Sequence, residues 1–383
     1  MMAREKRAIF VPAIGTQFVS AWQSNITYKG FNYAWWTAPS FFNYRYALIS
    51  APFGIKNDIW WRDQCGYPKD SLLMTDSGGF QICSSAKNGK PAPIGVNASL
   101  RWQEKNSDIA FNLDVPLVTN GAFDICLKKS LANFTTFERN RENYDMKLYN
   151  ILHGRNLREI ETWYIAVKDF DFDGWGIGIK GGIYKQVFAY LMLHEKDAPN
   201  LQDNMHLFGT SSLPCMLALA MLSKHFGTAL TFDSSSYNTG ARFRSFNLPL
   251  DVRHKKSFGR EAERMMANPC HCPVCSSATL EDLYSQTNPA TPLLLSLHNL
   301  YQYIEVNKII NEKVDDEEAI GQYAESWGEL ELVQNVHSML EEYDHGGYRS
   351  VYERFKDLIE KTAKKNSSEG VSFDQSQLSA AEA

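Results

Sequence analysis

The pattern that most limits what this chain can fold into is a series of short apolar runs, each closing on a polar residue or a glycine. Leu72-Leu73-Met74-Thr75 ends at Asp76, and Ile109-Ala110-Phe111-Asn112-Leu113 ends at Asp114. Leu148-Tyr149-Asn150-Ile151-Leu152 ends at His153-Gly154, and the run from Gly174 to Ile179 ends at Lys180-Gly181-Gly182. Met205-His206-Leu207-Phe208 ends at Gly209-Thr210, and Thr228-Ala229-Leu230-Thr231-Phe232 ends at Asp233. Runs of this length read as buried strands, and their spacing of about 24 to 39 residues is that of βα units. The intervals carry helical signals: Leu157, Ile160, Tyr164 and Val167 share one stripe, residues 130 to 148 alternate in helical fashion, and residues 213 to 225 keep a proline only in the first turn. Residues 8 to 14 read as a first strand or a barrel-bottom plug, residues 46 to 50 as a strand, and the aromatic-rich residues 17 to 45 carry no assignable pattern. Polar groups gathered at strand C-termini predict an α/β fold of the (β/α)8 TIM-barrel type, whose βα loops form the active-site face. An open doubly wound sheet uses similar units, but no G-x-G-x-x-G follows a first strand, and Gly176-Ile177-Gly178 lacks the third glycine.

Within this series the stretch from Leu72 to Gln81 stands out. A carboxylate at the end of a buried strand is followed by Ser77-Gly78-Gly79, then Phe80 and Gln81. Bare backbone amides beside an aromatic face suit a flat polar ligand. Taken alone, the stretch is equally an ordinary Asp-Ser-Gly turn. The other carboxylates have similar bland readings: Asp114, before Val115-Pro116, as a turn residue, and Asp233, before three serines, as a helix cap. A structural role for His153 is as good a reading as a ligand contact.

At 383 residues, 44% apolar and 22% charged, the chain has the composition of a globular protein with a sizeable core. No apolar run reaches the ~18 residues of a membrane span, and the first residues do not form a signal peptide, so a cytoplasmic setting, in a bacterial or phage-infected cell, is expected. Seven cysteines do not form a disulfide framework. Three of them, Cys270, Cys272 and Cys275, cluster, and His298 follows after 22 residues. Three thiols and an imidazole are a tetrahedral zinc set, and four protein ligands make the site structural, with no position open to water. His271 is a spare candidate, disfavoured because three consecutive residues cannot easily face one ion.

Asp76-Ser77-Gly78-Gly79-Phe80-Gln81, together with Cys-x-Cys-x2-Cys-x22-His and His298-Asn299-Leu300, resembles the tRNA-guanine transglycosylase superfamily. Phe232-Asp233 stands where that family places its nucleophile, and His153-Gly154 and Gly181-Gly182 stand in its Gln-Gly and Gly-Gly places. The resemblance runs from about residue 45 to about 305 and implies a (β/α)8 barrel with a zinc-bearing insertion. The implied reaction replaces guanine in a polynucleotide with a 7-deazaguanine base such as preQ0. It implies Asp233 as nucleophile and Asp76 as general acid/base, a pairing that parallels a retaining glycosidase. Asp114 would read the base, Phe80 would stack on it, and Ser77, Gly78, Gln81, His153, Gly181 and Gly182 would complete the pocket. One domain over residues 1–362 is expected, with a zinc subdomain near 255–305, C-terminal helices and a disordered tail from 363.

The net charge of −5 does not advertise a nucleic-acid binder. However, Arg242, Arg244, Arg253, Lys255, Lys256, Arg260 and Arg264 crowd the segment between Asp233 and the cysteines, where they could meet phosphates; the bland reading is a solvated surface. Two features depart from the bacterial tRNA enzymes: Ser234-Ser235-Ser236 replaces a Cys-Val-x-Pro-Thr-Arg-type run, and His153 replaces a glutamine. These departures resemble the phage and bacterial DNA-modifying branch, so DNA is the expected polymer, tRNA the alternative, and a non-catalytic zinc-containing nucleic-acid-binding subunit the third reading. The sequence is silent on oligomeric state, for which a homodimer stands as the expectation.

Overall fold

The structure, a computed structural model, describes residues 7–56, 61–81, 94–117, 122–201, 203–253, 255–257, 270–285 and 287–361. The expected tail, with Arg260 and Arg264, lies outside these residues. Eight parallel strands run in sequence order: β1 (Ala8–Pro12), β2 (Tyr46–Ser50), β3 (Leu72–Asp76), β4 (Ile109–Phe111), β5 (Lys147–Leu152), β6 (Gly174–Ile177), β7 (Met205–Leu207) and β8 (Leu230–Ser234). Each pairs with its sequence neighbour from β2 to β8, and β8 pairs back to β1. An Ala13–Leu48 bridge and a 2.8 Å hydrogen bond from Ile14 N–H to the Leu48 carbonyl bring β1 to β2, so the sheet is nearly closed. This is the expected (β/α)8 barrel. The expected strand ends hold to within a few residues, because an apolar run with no polar break on either face must be covered on both.

Where the expectation misses, local chemistry explains the difference. The helical pattern placed over 130–148 begins earlier and stops earlier, as Phe123–Asn140. Met146 and Leu148 belong instead to the core layer under β5, which begins at Lys147. The helix Leu157–Val167 starts where Asn156 caps it, its side chain accepting from Glu159 N–H at 3.0 Å. The helix Leu213–Phe226 ends at Gly227 in the left-handed conformation. In the unassigned region 17–45 lie the helix Thr16–Gln23 and the short hairpin Thr27–Tyr28 with Phe31–Asn32.

Beyond β8 a short helix, Ser236–Arg242, packs on the long helix Thr291–Lys313. Two further helices follow, Glu317–Ser326 and Leu330–Glu360. The last runs along the helix Ile183–Leu201 and brings the Lys361 carbonyl within 3.8 Å of a Cβ placed on Gly182. It therefore ends beside the loop after β6, on the face where the strand ends meet. Among the described residues no helix is long and apolar enough to cross a membrane.

Candidate active site and metal centre

Asp76 is the last residue of β3, and its Oδ2 accepts from the Ser50 hydroxyl at the matching end of β2, at 3.2 Å. The glycines that follow are dictated by what surrounds them. Gly78 has φ +95°, and a Cβ there would lie 2.2 Å from Pro52 Cγ; a Cβ on Gly79 would lie 2.5 Å from the Asp114 carbonyl oxygen. The turn thus passes between Pro52 and Asp114 with no room for a side chain. Burial pushes the Asp76 carboxyl up to about 7, with the charges of Asp114 and Asp233 adding to it. The Gly78 N–H and the Ser50 hydroxyl oppose that rise without cancelling it. Asp76 is therefore poised near neutrality, able to give and to take a proton.

The turn then presents Phe80, 52% exposed, with Lys180 Nζ 5.3 Å from its ring centre. Gln81 Oε1 is buried with no hydrogen-bond partner among the described residues. Ser77 is fully buried, its hydroxyl donating to the Asn112 carbonyl at 3.0 Å, so that oxygen supports the β3–β4 turn.

Asp114 lies just beyond β4 and meets His153, at the end of β5, with 2.6 Å between Oδ2 and Nε2. The other ring nitrogen, Nδ1, donates to the Gly178 carbonyl at 3.1 Å. Residue 178 must be glycine for this ring to fit, since a Cβ there would lie 2.3 Å from His153 Cε1. One ring nitrogen thus faces the Gly178 carbonyl and the other the Asp114 carboxylate. His153 therefore orients Asp114. Gly181 and Gly182 lie on the rim of the same end of the barrel, Gly181 exposed and Gly182 half-buried.

Asp233 sits within β8, buried, and is part of the strand instead of a helix cap. Its Oδ1 accepts from Gly209 N–H at 2.8 Å and faces His206 Nε2 at 3.2 Å. His206, fully buried on β7, is not among the site residues to which the sequence points. Its place beside Asp233 comes from strand register, opposite Thr231 and two positions before Asp233, which the sequence alone does not display. The structure thus brings Asp76, Asp114 and Asp233 into electrostatic reach at one barrel end, with two histidines behind them.

The second cluster stands off the barrel. The ligand atoms of Cys270, Cys272, Cys275 and His298 all lie within 4.8 Å of one another. His298 is fully buried on the helix Thr291–Lys313 and donates its Nε2–H to the Asn247 carbonyl at 2.8 Å. That leaves the Nδ1 lone pair facing Cys275 Sγ at 3.2 Å and Cys272 Sγ at 3.3 Å. Ligands around a tetrahedral zinc are separated by about 3.5–3.8 Å, and a second hydrogen bond that fixes the ring's tautomer is the usual support of a metal-bound histidine. The residues fit a metal ion. His271 is exposed and outside the cluster. The next residue, Asn299, accepts from Asn247 N–H at 2.8 Å and donates to the carbonyls of Tyr237 and Ser245, at 3.1 and 2.9 Å. The cysteine cluster is thereby tied to the helix that follows the Asp233 strand.

The expected basic patch is thinner than its sequence suggests. Arg253 is spent on Glu329, at 3.3 Å, and on the Trp327 carbonyl. Arg242 is exposed and donates to Gln17 Oε1 at 3.1 Å; Arg244 follows at positive φ. Lys255 and Lys256 lie on a strand paired with Ser245–Asn247, but their side chains are outside the described residues.

A parallel (β/α)8 barrel with three carboxylates at one end and a Cys3His cluster on an appended segment defines a narrow class. The family model described as "TGT: Queuine tRNA-ribosyltransferase" matches residues 61–329, more than half of the chain, and the chain belongs to that family. It is similar to the tRNA-guanine(15) transglycosylase of Methanococcus aeolicus, 26% identical over 311 residues, which cover 74% of this chain and 46% of that protein. The protein of the same name from Methanosarcina mazei is 28% identical over 257 residues, 64% of this chain and 48% of that one. The Methanocaldococcus jannaschii protein is 27% identical over 256 residues, 63% and 36%. The chain spans about half the length, or less, of these relatives.

Proposed function

We propose that this protein is a guanine transglycosylase that exchanges guanine in tRNA for a 7-deazaguanine base through a glycosyl ester on Asp233. The observation that carries the reading is the grouping of Asp76, Asp114 and Asp233 at one barrel end, with Asp76 raised to about 7. Asp233 Oδ2 attacks C1′ of the target nucleotide, and the bond from C1′ to guanine N9 breaks with its electron pair going to the base. Asp76, protonated, neutralises the departing guanine. An incoming deazaguanine then loses its N9 proton to Asp76 and attacks C1′, releasing the Asp233 carboxylate. Asp114, held by His153, accepts from the base N1–H and exocyclic amino group, while Phe80 offers a stacking face. The target nucleotide has to leave its stack to enter such a pocket.

The cluster of Cys270, Cys272, Cys275 and His298 is read as a zinc site. The ion would supply a structural link and take no part in the exchange. The preference for tRNA rests on the names of the relatives, which weigh against the DNA expected from the sequence departures at His153 and Ser234–Ser236. The test is incorporation of radiolabelled guanine into bulk tRNA and into genomic DNA supplied separately. Label entering tRNA supports the proposal. Label entering DNA alone moves the substrate to DNA, and label entering neither removes the reading.

A further inference from the structure

We propose that His206 is the positioning residue for the nucleophile: it supplies the cation that keeps Asp233 ionised and turned with Oδ2 toward the sugar. This inference rests on the reading of Asp233 as nucleophile. It starts from a hydrogen-bond inventory. Thr231 gives its only hydroxyl proton to the Met205 carbonyl, at 2.8 Å. Its oxygen can therefore only accept from His206 Nδ1, 3.0 Å away. With a proton on Nδ1, a neutral imidazole would present a bare Nε2 lone pair to Asp233 Oδ1 at 3.2 Å. Two lone pairs do not face each other in a buried site, so a second proton lies between them. Asp233 must be a carboxylate to attack, which places that proton on His206.

The surroundings favour this pairing. His206 is fully buried against the rings of Phe111 and Phe208, whose centres lie 4.9 and 4.7 Å from its own. The adjacent strand β6, and β4, whose Phe111 packs against the His206 ring, carry no ionisable side chain. The charged groups it meets are Asp233 directly and, across the pocket, Asp76 and Asp114. Three carboxylates that close together cannot all ionise unaided, and His206 is a buried counter-ion on the one that must. Oδ1 is also fixed by Gly209 N–H, so among the described residues Oδ2 takes no hydrogen bond. The same contact serves both half-reactions. It stabilises the carboxylate before attack and again when the ester breaks and the charge returns to Asp233.

Two variants separate this role from packing. His206→Phe keeps a ring against Phe111 and Phe208 and removes both nitrogens; His206→Gln keeps an N–H donor without a charge. Each is assayed for covalent adduct formation and radiolabelled-guanine exchange across pH, with the polymer that the parent protein labels, alongside thermal melting. For His206→Phe, adduct formation should slow by roughly 10²-fold. The acid limb of its rate should move to higher pH, since a carboxylate that loses a cationic partner holds its proton longer, while KM for guanine stays unchanged. His206→Gln should recover part of the rate and keep the displaced pH limb. A parent-like pH profile in folded His206→Gln overturns the proposal, as does a loss in His206→Phe expressed only in KM. Failure of the underlying reading is distinct: Asp233→Asn forming the adduct removes Asp233 as nucleophile, whatever the His206 variants do.

Discussion

The molecule holds two clusters of groups that can each carry three negative charges, and it treats them in opposite ways. At the barrel end, Asp76, Asp114 and Asp233 lie in reach of one another with two histidines behind them and Asp76 raised to about 7. On the appended segment, Cys270, Cys272 and Cys275 converge with His298 on a single point. The second set would be closed around an ion, because four protein donors leave no open position to react. The first is open: each carboxylate keeps an oxygen or a proton for use. The contrast implies that substitutions in the carboxylate cluster should change rates with little loss of fold, and substitutions in the thiol cluster should do the reverse.

The sharpest way to break that comparison is Asp233→Asn. An amide cannot form the glycosyl ester, so guanine exchange should fall by roughly 10⁴-fold or more, and no adduct should survive denaturing electrophoresis. Residual exchange at a tenth of the parent rate would refute the assignment. The protein should still fold, but the melting temperature should drop by a few degrees, because buried His206 loses the carboxylate that faces it.

Asp76→Asn comes next and tests both sides at once. Loss of a general acid/base should lower exchange by roughly 10²–10⁴-fold. Because the folded-state value lies above the unfolded one, the native protein holds more protons between pH 4 and 7. The stability Asp76 contributes is thus complete below pH 4 and lost as pH rises through about 7. The asparagine variant should therefore melt at a higher temperature than the parent at pH 8, by a few degrees if the relieved strain is about 1–2 kcal/mol. The difference should vanish near pH 4. A parent-like slope of melting temperature against pH would show that Asp76 ionises normally.

For the thiol cluster, Cys275→Ser or a strong chelator should release zinc from a starting ratio near one per chain. Structural zinc carries much of a small site's folding energy, so the melting temperature should drop by on the order of 10 °C. Because Asn299 ties this segment to the helix after Asp233, exchange should fall too, and in step with the unfolded fraction. Full stability after metal removal would contradict a structural role.

How far the sequence foretold these two regions follows the same divide. The thiol site was legible because its ligands cluster in the chain at a fixed spacing, and the barrel because buried parallel strands show as uninterrupted apolar runs. Asp76 was visible through its glycines, whose cause (Pro52 on one side and Asp114 on the other) only the fold reveals. What escaped was contact between strands. His206 lies 27 residues from Asp233, and one histidine in an apolar run carries no local sign of the carboxylate it faces. Likewise the sequence offered His153 equally as a structural histidine or a base contact, and only the fold shows its ring nitrogens against Asp114 and the Gly178 carbonyl. Arg253 looked like part of a phosphate-binding patch until its partner Glu329, far along the chain, was in view.

The smallest expected effect probes the rim that joins the open cluster to the polymer. Phe80 is exposed to solvent beside an otherwise buried turn, and only Lys180 stands over its ring among the described contacts. Leaving a phenyl group in water has no benefit to the fold, so Phe80→Ala should leave the melting temperature within a degree or two. A stacking surface, by contrast, is worth about 1–3 kcal/mol per base. The variant should therefore raise KM for the polymer by roughly tenfold or more, with kcat for bound substrate changed far less. A fall in kcat alone would move Phe80 from holding the base to shaping the reaction centre. An unchanged KM would mean that the base stacks elsewhere, on a surface that Gln81 Oε1, buried and without a partner among the described residues, then helps to locate.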